Sequence, residues 1–390
     1  MEDLLYQYNP WWEAQIDISG FRPRQRALSK IESLISEKRA VFLTGLRRVG
    51  KTTLVKLLVE KLIHDGAKPR TILYVSLDDY LLRGSSIVEI VSTFRKIHKM
   101  SVDQPVILLF DEITYKADYP QQLKNLIDRE NVTVVATSSS TSLLRDQKAF
   151  LTGRSATIEI QPLSLEEYLD FKGVRVAKRD RQLLDSYFRD YIREGGLPEN
   201  VLQPSRDYLM NLVDDIIQKD ITAFHGLKDH QLVRDYFTLL MERSGKQVSI
   251  NKISNILKIS PDTSRRYLGY FEATYLIHLL PRWGKTNERI LSPKKVYACD
   301  LGIKYLFIGE RDFGSYFENY IFLQLLGRHR LFYFYENGIE IDFLTTNGIL
   351  IESKYNSAMT EDQVRVFQSH PAPKKYLIDS LKDLSILDEL

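Results

Sequence analysis

The sequence has one cysteine, no long apolar run and no histidines paired as in the HExxH motif. Because Cys299 stands alone among 390 residues, a disulfide framework is impossible, and a reducing cytoplasm is the expected compartment. The seven histidines show no HExxH spacing, so no zinc site is expected. The longest apolar runs, such as residues 106–110, are far shorter than a bilayer span, and the acidic, aromatic start MEDLLYQYNPWWE argues against a secretory signal.

Size and charge indicate several domains and one basic region. At 45.5 kDa, with 44% hydrophobic and 27% charged residues, the chain has the composition of a globular protein with more than one core. The net charge is only +3. Residues 226–290, however, contain 11 Lys and Arg against 6 Asp and Glu, so basic charge is concentrated in this segment.

The most informative stretch is residues 40–53, AVFLTGLRRVGKTT, in which an apolar strand runs into a glycine-rich loop with P-loop spacing. The glycines let backbone N–H groups face phosphate oxygens, Lys51 reaches the β and γ phosphates, and the Thr52 hydroxyl binds Mg²⁺. Apolar residues at helical spacing follow, which completes the strand-loop-helix context of the motif. The residues expected to bind the nucleotide are Gly45, Arg47, Arg48, Val49, Gly50, Lys51, Thr52 and Thr53.

An acidic motif, VILLFDE at residues 106–112, supplies the partner of this loop. A buried strand delivers Asp111 and Glu112 at its carboxyl end, the edge of an open α/β sheet where ligands bind. Asp111 is expected to orient Mg²⁺ and its waters, and Glu112 to polarise the attacking water, a contribution of roughly 10² to 10⁴ in rate. In isolation such a pair is as often a polar strand cap, but the upstream P-loop favours the catalytic interpretation.

Hydroxyl and arginine side chains follow the next strand. VVATSSS ends this strand in hydroxyls, and Ser139 is suited to hydrogen-bond the γ phosphate or the attacking water; a solvated serine loop is the alternative. Arg145 and Arg154 come next. An arginine that reaches a neighbouring subunit's phosphate accelerates hydrolysis by roughly 10³ to 10⁵, although a lone arginine is more often a surface charge. Arg154, in the sequence LTGR, is the candidate arginine finger.

The chain changes character three times. Alternating helix and strand signals up to residue 160 predict a parallel sheet with crossover helices, and helical periodicity then predicts a helical lid. Strands of the parallel sheet are predicted at residues 40–44, 72–77, 106–110, 132–137 and 157–160. The predicted domains are residues 1–160 (P-loop ATPase core), 161–225 (helical lid), 226–290 (winged helix) and 291–390 (α/β domain).

The basic segment predicts a winged helix. Residues 250–257 have the pattern of a short helix, Ser260 that of the N-cap of a second helix over 262–272, and residues 275–283 that of a strand pair. The side chains expected to contact DNA phosphates are Lys258, Arg265 and Arg266. Winged helices also serve as protein adaptors and as packing modules between ATPase and effector, so DNA contact is one of three interpretations.

The last hundred residues predict an α/β domain with a second acidic site. Glu318 lies on a predicted helix, Asp342 in the strand EIDFL, and Glu352 and Lys354 share a face of the next strand. Converging carboxylates with a lysine can bind a divalent cation and steady a hydroxide beside a phosphate. The arrangement is similar to the restriction-endonuclease-like fold, PD-(D/E)xK, although Ile341 replaces the usual proline. A polar sheet face with a Glu and Lys ladder, or this fold without cutting, are the alternatives. Strands are predicted at residues 295–299, 331–335, 340–345, 349–355 and 375–378.

The segments YNPWW, GLRRVGKTT, LLFDEI, SSS, LTGR, PLSLEEY and REGGLPE follow one another along the chain. In this order they resemble the AAA+ ATPases of many archaea and bacteria that carry a carboxyl-terminal domain of unknown function. The resemblance implies ATP as the nucleotide, a strand ending at Thr137 between the P-loop strand and the Asp111 strand, and a GGLP turn, with Pro198, near the adenine. The family usually has glycine then serine at the strand end, where this chain has two serines, so Thr137 and Ser139 both remain candidate phosphate sensors.

Together the motifs predict a cytoplasmic, Mg²⁺-dependent AAA+ ATPase with an α/β fold: a P-loop parallel sheet, a helical lid, a winged helix and a restriction-endonuclease-like domain. AAA+ sites are usually completed by a neighbour, so a homo-oligomer is expected, with ATP and DNA as partners and no membrane. Two other functions remain open, a nucleotide-switched regulator with a silent carboxyl-terminal domain and an ATP-dependent DNA endonuclease. The endonuclease requires Glu318, Asp342, Glu352 and Lys354 to converge on one pocket.

Overall fold

The computed structural model describes residues 1–14, 20–37, 39–139, 153–177 and 180–390. The chain forms two compact units, Met1–Ile160 and Gln161–Leu390. Within the second unit, one hydrophobic core contains side chains from Leu163 to Leu387, so helices and strands far apart in sequence share apolar contacts. The division into four domains stays a prediction.

A five-stranded parallel sheet forms the centre of the first unit. Its strands are β1 (Ala40–Thr44), β2 (Ile72–Ser76), β3 (Val106–Asp111), β4 (Val132–Thr137) and β5 (Ser155–Glu159). They lie in the order β2-β3-β4-β1-β5, so β4 is between the P-loop strand and the Asp111 strand, as the resemblance implied. Every residue of β1 is buried, which explains its continuous apolar sequence. The five strands predicted for this region are confirmed.

The structure describes five α-helices in the first unit, and the predicted helix after the P-loop is one of them. They are α1 (Glu2–Tyr8), α2 (Gln25–Ser36), α3 (Lys51–His64), α4 (Ile87–Ile97) and α5 (Tyr119–Arg129). α3 begins directly after the glycine-rich loop, so its amino end faces the region expected to hold phosphate. α4 begins with a capping box, in which the Ser86 hydroxyl accepts from the Glu89 N–H at 3.1 Å and the Glu89 carboxylate accepts from the Ser86 N–H at 2.8 Å.

The YNPWW segment covers the edge of the parallel sheet. β2 is an edge strand, and an edge strand carries unpaired backbone groups. The buried Asn9 amide satisfies two of them, since the Tyr74 N–H donates to Asn9 Oδ1 at 2.6 Å and Asn9 Nδ2 donates to the Tyr74 carbonyl at 2.9 Å. The Trp12 indole N–H donates to the Ile72 carbonyl at 2.8 Å. This segment therefore acts as a side-chain substitute for a further strand.

We expect Asn9→Ala to lower the free energy of unfolding by about 2 kcal/mol, because it leaves a buried N–H and a buried carbonyl of Tyr74 without partners. Urea denaturation of the full chain measures the change. Asn131→Ala is the matched control, since this exposed amide donates to the Asp103 carbonyl at 3.2 Å and its loss should cost less than about 0.5 kcal/mol. Equal losses in the two variants would contradict the role of Asn9.

Helices dominate the first half of the second unit, as predicted for residues 164–225. The helices of this unit are α6 (Leu165–Phe171), α7 (Arg181–Glu194), α8 (Pro198–Leu202), α9 (Arg206–Asp215), α10 (His230–Glu242), α11 (Ile250–Leu257), α12 (Pro261–Ala273), α13 (Thr286–Leu291), α14 (Leu301–Ile308), α15 (Phe313–Leu325), α16 (Glu361–Ser369) and α17 (Ile386–Glu389). A π-helical segment covers Ile216–Ala223. Among the helices of the described residues, none is a candidate membrane span.

The helix pair predicted in the basic segment is present. α12 begins at Pro261, and the Ser260 hydroxyl accepts from the Thr263 N–H at 3.0 Å, which is the predicted N-cap. The predicted strand pair at residues 275–283 is wrong. That stretch holds one strand, β6 (Ile277–Leu280), which ends before Pro281 and pairs antiparallel with β7 (Lys295–Ala298) beyond α13. A proline lacks the N–H that a returning strand would need.

A four-stranded mixed sheet closes the chain. Its strands are β8 (Leu331–Glu336), β9 (Ile339–Thr345), β10 (Ile349–Ser353) and β11 (Lys374–Ile378). They lie in the order β11-β10-β9-β8, with β10 and β11 parallel and the other neighbours antiparallel. The four strands predicted here are confirmed. The fifth, predicted at residues 295–299, is β7 and belongs to the two-stranded sheet with β6.

Candidate functional site

The P-loop turns sharply between β1 and α3. Gly45 has a φ of 134°, which L side chains rarely adopt, and a Cβ atom here would lie 2.4 Å from the Ile160 carbonyl oxygen. Gly50, with a φ of 98°, is the N-cap of α3. The Arg24 guanidinium supports the loop by donating to the Val49 carbonyl at 3.5 Å. The loop thus lies at the amino end of a helix, the arrangement that binds phosphate.

Lys51 and Thr52 are the first two residues of α3, directly after the glycine-rich loop. Lys51 is buried, and its ammonium donates to the carbonyl oxygens of Gly45 and Leu46 at 2.9 and 3.0 Å, so it lies across the loop. The Thr52 hydroxyl donates to Asp111 Oδ2 at 2.7 Å. A hydroxyl and a carboxylate in contact are the protein groups that hold Mg²⁺ in P-loop proteins. These residues therefore fit Mg²⁺ and a triphosphate.

Asp111 is buried at the carboxyl end of β3 and is oriented by neutral hydroxyls. Its Oδ2 also accepts from the Tyr74 hydroxyl at 3.1 Å, and its Oδ1 accepts from the Thr137 hydroxyl. Burial, reinforced by the negative charge of Asp111, raises the pKa of Tyr74 far above its ordinary value, so Tyr74 stays a neutral donor. The three donors are neutral hydroxyls, so they orient the carboxylate without forming an ion pair with it. A metal cation can therefore bind as its charged partner.

Glu112 follows β3 in the left-handed region, at a φ of 50°, which non-glycine residues seldom adopt. Its N–H donates to Thr137 Oγ1 at 2.9 Å. Its carboxylate accepts from the Ser139 hydroxyl at 2.6 Å and from the Ser139 N–H at 3.4 Å. Thr137 therefore fixes Asp111 and the Glu112 backbone, whereas Ser139 fixes the Glu112 side chain. Thr137 and Ser139 both stay predicted phosphate sensors.

The structure does not bring the candidate arginine finger to the P-loop of its own subunit. Arg154 directly precedes β5, and its guanidinium pairs with Asp128 near the carboxyl end of α5. This is the amino-end edge of the parallel sheet, opposite the edge that carries the P-loop. Arg145 lies outside the described residues. Pro198 is in the second unit, at the first position of α8, and its role at the adenine stays a prediction.

The structure brings the four residues of the second acidic site together around a residue that the sequence interpretation missed. The ammonium of Lys295 contacts Glu318 at 2.6 Å and Asp342 at 3.2 Å. The Asp342 N–H donates to Glu352 Oε2 at 3.0 Å, and Lys354 contacts Glu352 Oε1 at 2.8 Å. These contacts link all four predicted residues through Lys295 and Asp342. Catalysis by this cluster stays a prediction.

Burial shapes the ionisation of the cluster. It raises the pKa of Glu318 to about 7 and that of Glu352 to about 8, in both cases with the charge of Asp342 adding to the rise. Burial also opposes ionisation of Asp342, but the Lys295 charge and hydrogen bonds from Ser353 outweigh it and lower the pKa of Asp342. Among the described residues, no group of three His, Cys, Asp or Glu side chains is arranged to hold a metal ion.

The predicted DNA-contacting residues lie on the α11–α12 pair. Lys258 is the C-cap of α11, with a φ of 55°. Arg265 is exposed and contacts Asp262 at 2.6 Å, and Arg266 donates to the Thr263 hydroxyl at 3.4 Å. These contacts are local, within one turn of helix, so both guanidinium groups can turn towards another partner at little cost.

Sequence reasoning also missed Asp300, a buried carboxylate at the amino end of α14. It accepts from the Gly196 N–H at 2.6 Å and from the Ile303 N–H at 3.0 Å. Burial raises the pKa of Asp300 to about 6 against the opposing effect of these hydrogen bonds. The sequence signal was present, because an aspartate directly before an apolar helix is a preferred N-cap.

Residues 37–169 match a family model described as an AAA domain. The match spans β1, the P-loop and the Asp111–Glu112 strand, whose geometry fits a nucleotide and its metal ion. The first unit contains an AAA-type, P-loop ATPase-like domain. Residues 185–312 and 313–386 match two families described as domains of unknown function, DUF8612 and DUF4143.

Two relatives that match most of the chain are uncharacterized proteins. The chain is 28% identical over 367 residues to uncharacterized protein MJ1544 of Methanocaldococcus jannaschii, covering 88% of this chain and 81% of that protein. It is 26% identical over 313 residues to an uncharacterized protein of Haemophilus influenzae, covering 76% and 78%. The fold is also similar to a solved structure, the Walker-type ATPase PABY2304 of Pyrococcus abyssi, at a TM-score of 0.48 and 12% identity, covering 76% of this chain and 99% of that one.

Proposed function

We propose that this protein is an Mg²⁺-dependent AAA+ ATPase whose hydrolysis drives DNA-associated work or the switching of an assembly. The observation that carries the proposal is the contact between the Thr52 hydroxyl and the Asp111 carboxylate at 2.7 Å, beside the buried Lys51. Thr52 lies at the start of α3 and Asp111 at the end of β3, and they meet because the P-loop and β3 share the carboxyl-end edge of the sheet. The AAA-domain match covers the same residues.

Each residue of this site has a separate task. Lys51 and the P-loop N–H groups hold the phosphates, and Thr52 and Asp111 hold the metal ion. Bound Mg²⁺ neutralises charge that develops on the transferred phosphoryl group. Glu112 takes a proton from the attacking water, and Ser139 positions its carboxylate through the 2.6 Å hydrogen bond. The test is release of phosphate from ATP by the purified full chain, which should require Mg²⁺ and stop in EDTA; no release in Mg²⁺ would refute an ATPase.

DNA is the proposed partner of the basic helix pair. Its support is the excess of basic residues in 226–290 and the exposure of Arg265 beside the amino end of α12. A winged helix in this segment, with β6 and β7 as its strands, remains part of the proposal. A homo-oligomer in the cytoplasm also remains the proposed state, with Arg154 turned towards a neighbouring subunit.

We expect the double variant Arg265→Glu and Arg266→Glu to weaken DNA binding at least about tenfold and to reduce the salt slope of log K by roughly 2, because each lost phosphate contact removes about one unit. Fluorescence anisotropy with duplex DNA over a range of salt concentrations measures both. Arg365→Glu is the matched control, since Arg365 is exposed and pairs with Asp362 three residues before it, as Arg265 does with Asp262. Unchanged affinity in the double variant would exclude DNA from this helix pair.

A further inference from the structure

One lysine lies at the centre of the acidic cluster of the second unit. The Lys295 ammonium contacts Glu318 at 2.6 Å, Glu340 at 2.8 Å and Asp342 at 3.2 Å, and only 1% of its side chain is exposed. The Tyr297 hydroxyl also donates to Glu318, at 2.6 Å. Three carboxylates drawn from a helix and a strand thus surround one positive charge. This is the charge arrangement that proteins usually build around a hard divalent cation.

Lys295 is held rigidly in this position. Its backbone belongs to β7, which pairs with β6 on one side and bridges Ser244 and Gln247 on the other. If the ammonium left, the buried Asp342 and the partly buried Glu318 and Glu340 would lose their positive partner, and breaking a buried ion pair in this way is strongly unfavourable. The carboxylate charges raise the pKa of Lys295 far above its ordinary value even though burial opposes this, so the lysine stays charged.

The segment between α10 and α11 covers the same cluster. Gln247 Nε2 donates to Glu340 Oε2 at 2.8 Å, and the Ser244 hydroxyl donates to Asn319 Oδ1 at 2.6 Å. A Cβ atom on Gly245 would lie 3.3 Å from Glu318 Oε2, so this backbone lies directly on the carboxylate. The helix pair of the basic segment is therefore attached to the acidic cluster by its leading loop.

We propose that the Lys295 ammonium takes the place of a divalent cation in the second unit, so the cluster of Glu318, Glu340 and Asp342 holds the 244–248 loop against the sheet without a metal ion. The cluster is then a binding or coupling module and no metal-dependent nuclease centre. This inference does not depend on ATP hydrolysis by the first unit. It does favour a nucleotide-switched regulator over an ATP-dependent DNA endonuclease as the function of the whole chain.

The parent protein provides the first test. Electron paramagnetic resonance measures Mn²⁺ binding to the nucleotide-free full chain, for the parent and for Asp342→Asn. We expect both to bind Mn²⁺ equally, because any shared binding belongs to the P-loop region and the second unit offers no cation site. A parental Mn²⁺ site that Asp342→Asn removes would mean that Lys295 yields to metal, and the proposal would be overturned.

The second test removes the internal cation. Lys295→Ala should bind Mn²⁺ at least about tenfold more tightly than the parent, because the vacated carboxylates then need a cation, and adding Asp342→Asn should abolish that gain. Lys354→Ala is the matched control, because it removes a lysine from the same cluster and leaves Lys295 in place, so it should gain nothing. A folded Lys295→Ala protein that gains no Mn²⁺ binding overturns the proposal. Should Lys295→Ala not fold alone, excess Mn²⁺ must restore folding, and failure to do so overturns it equally.

Discussion

Glu112→Gln is expected to lower the rate of ATP hydrolysis by roughly 10² to 10⁴ while leaving ATP affinity within about threefold of the parent. The amide has the shape of the carboxylate and can still accept the Ser139 hydroxyl hydrogen bond, so the local geometry is kept. It cannot take a proton from water. The loss therefore falls on the chemical step, because Lys51, Thr52 and Asp111 continue to hold the nucleotide and metal ion.

Phosphate release and binding of a fluorescent ATP analogue separate the two effects. Glu60→Gln is the matched control. It removes the same negative charge from α3, the helix that follows the P-loop, at a position away from the site. It should hydrolyse ATP at the parental rate. Hydrolysis by Glu112→Gln at the parental rate would remove Glu112 from the mechanism, and equal loss in both variants would indicate a charge effect only.

Gly195→Ala should lower the stability of the second unit by about 3 kcal/mol, a fall of roughly 6 to 12 °C in its melting temperature. Two costs combine. A left-handed backbone costs an alanine roughly 1 to 2 kcal/mol, and Gly195 has a φ of 76°. The new Cβ atom would also lie 2.2 Å from Asp300 Oδ1, so the buried carboxylate must move, at roughly 1 to 3 kcal/mol.

Gly309→Ala is a control in which only the cost of the left-handed backbone arises. Gly195 is the C-cap of α7 at φ 76° and ψ −170°, and Gly309 is the C-cap of α14 at φ 66° and ψ −162°. No atom lies within 4 Å of the Cβ position at Gly309. Gly309→Ala should therefore cost only about 1 to 2 kcal/mol. Thermal denaturation followed by circular dichroism compares them, and equal losses would show that the contact with Asp300 carries no weight.

The P-loop region was predictable because its signals are local. The strand before Gly45, the helix after Lys51 and the Asp111 strand each have a periodicity that one stretch of sequence carries in full. The order of the strands came instead from a family resemblance, since no local pattern places β4 between β1 and β3. For the carboxyl-terminal sheet, the four strands were predicted one by one and their spatial order was not predicted.

The residues that were missed act through distant partners. Lys295 stands 23 residues before Glu318 and 47 before Asp342, and nothing near it in sequence distinguishes it from a surface lysine. No local sequence signal marks Tyr74, because its hydroxyl reaches Asp111 only through the pairing of β2 with β3. The strand pair at residues 275–283 failed for the same reason, because β6 finds its partner beyond an intervening helix.

The Asn9 amide and the Trp12 indole have a consequence for how copies of this chain can meet. An uncovered edge strand is a template on which another chain can add a strand, and that route leads to shared sheets and aggregation. Here the carbonyl of Ile72 and both backbone groups of Tyr74 already have side-chain partners. Self-association through β2 is therefore blocked, and subunits that assemble must recognise one another on this side through side chains and surface shape.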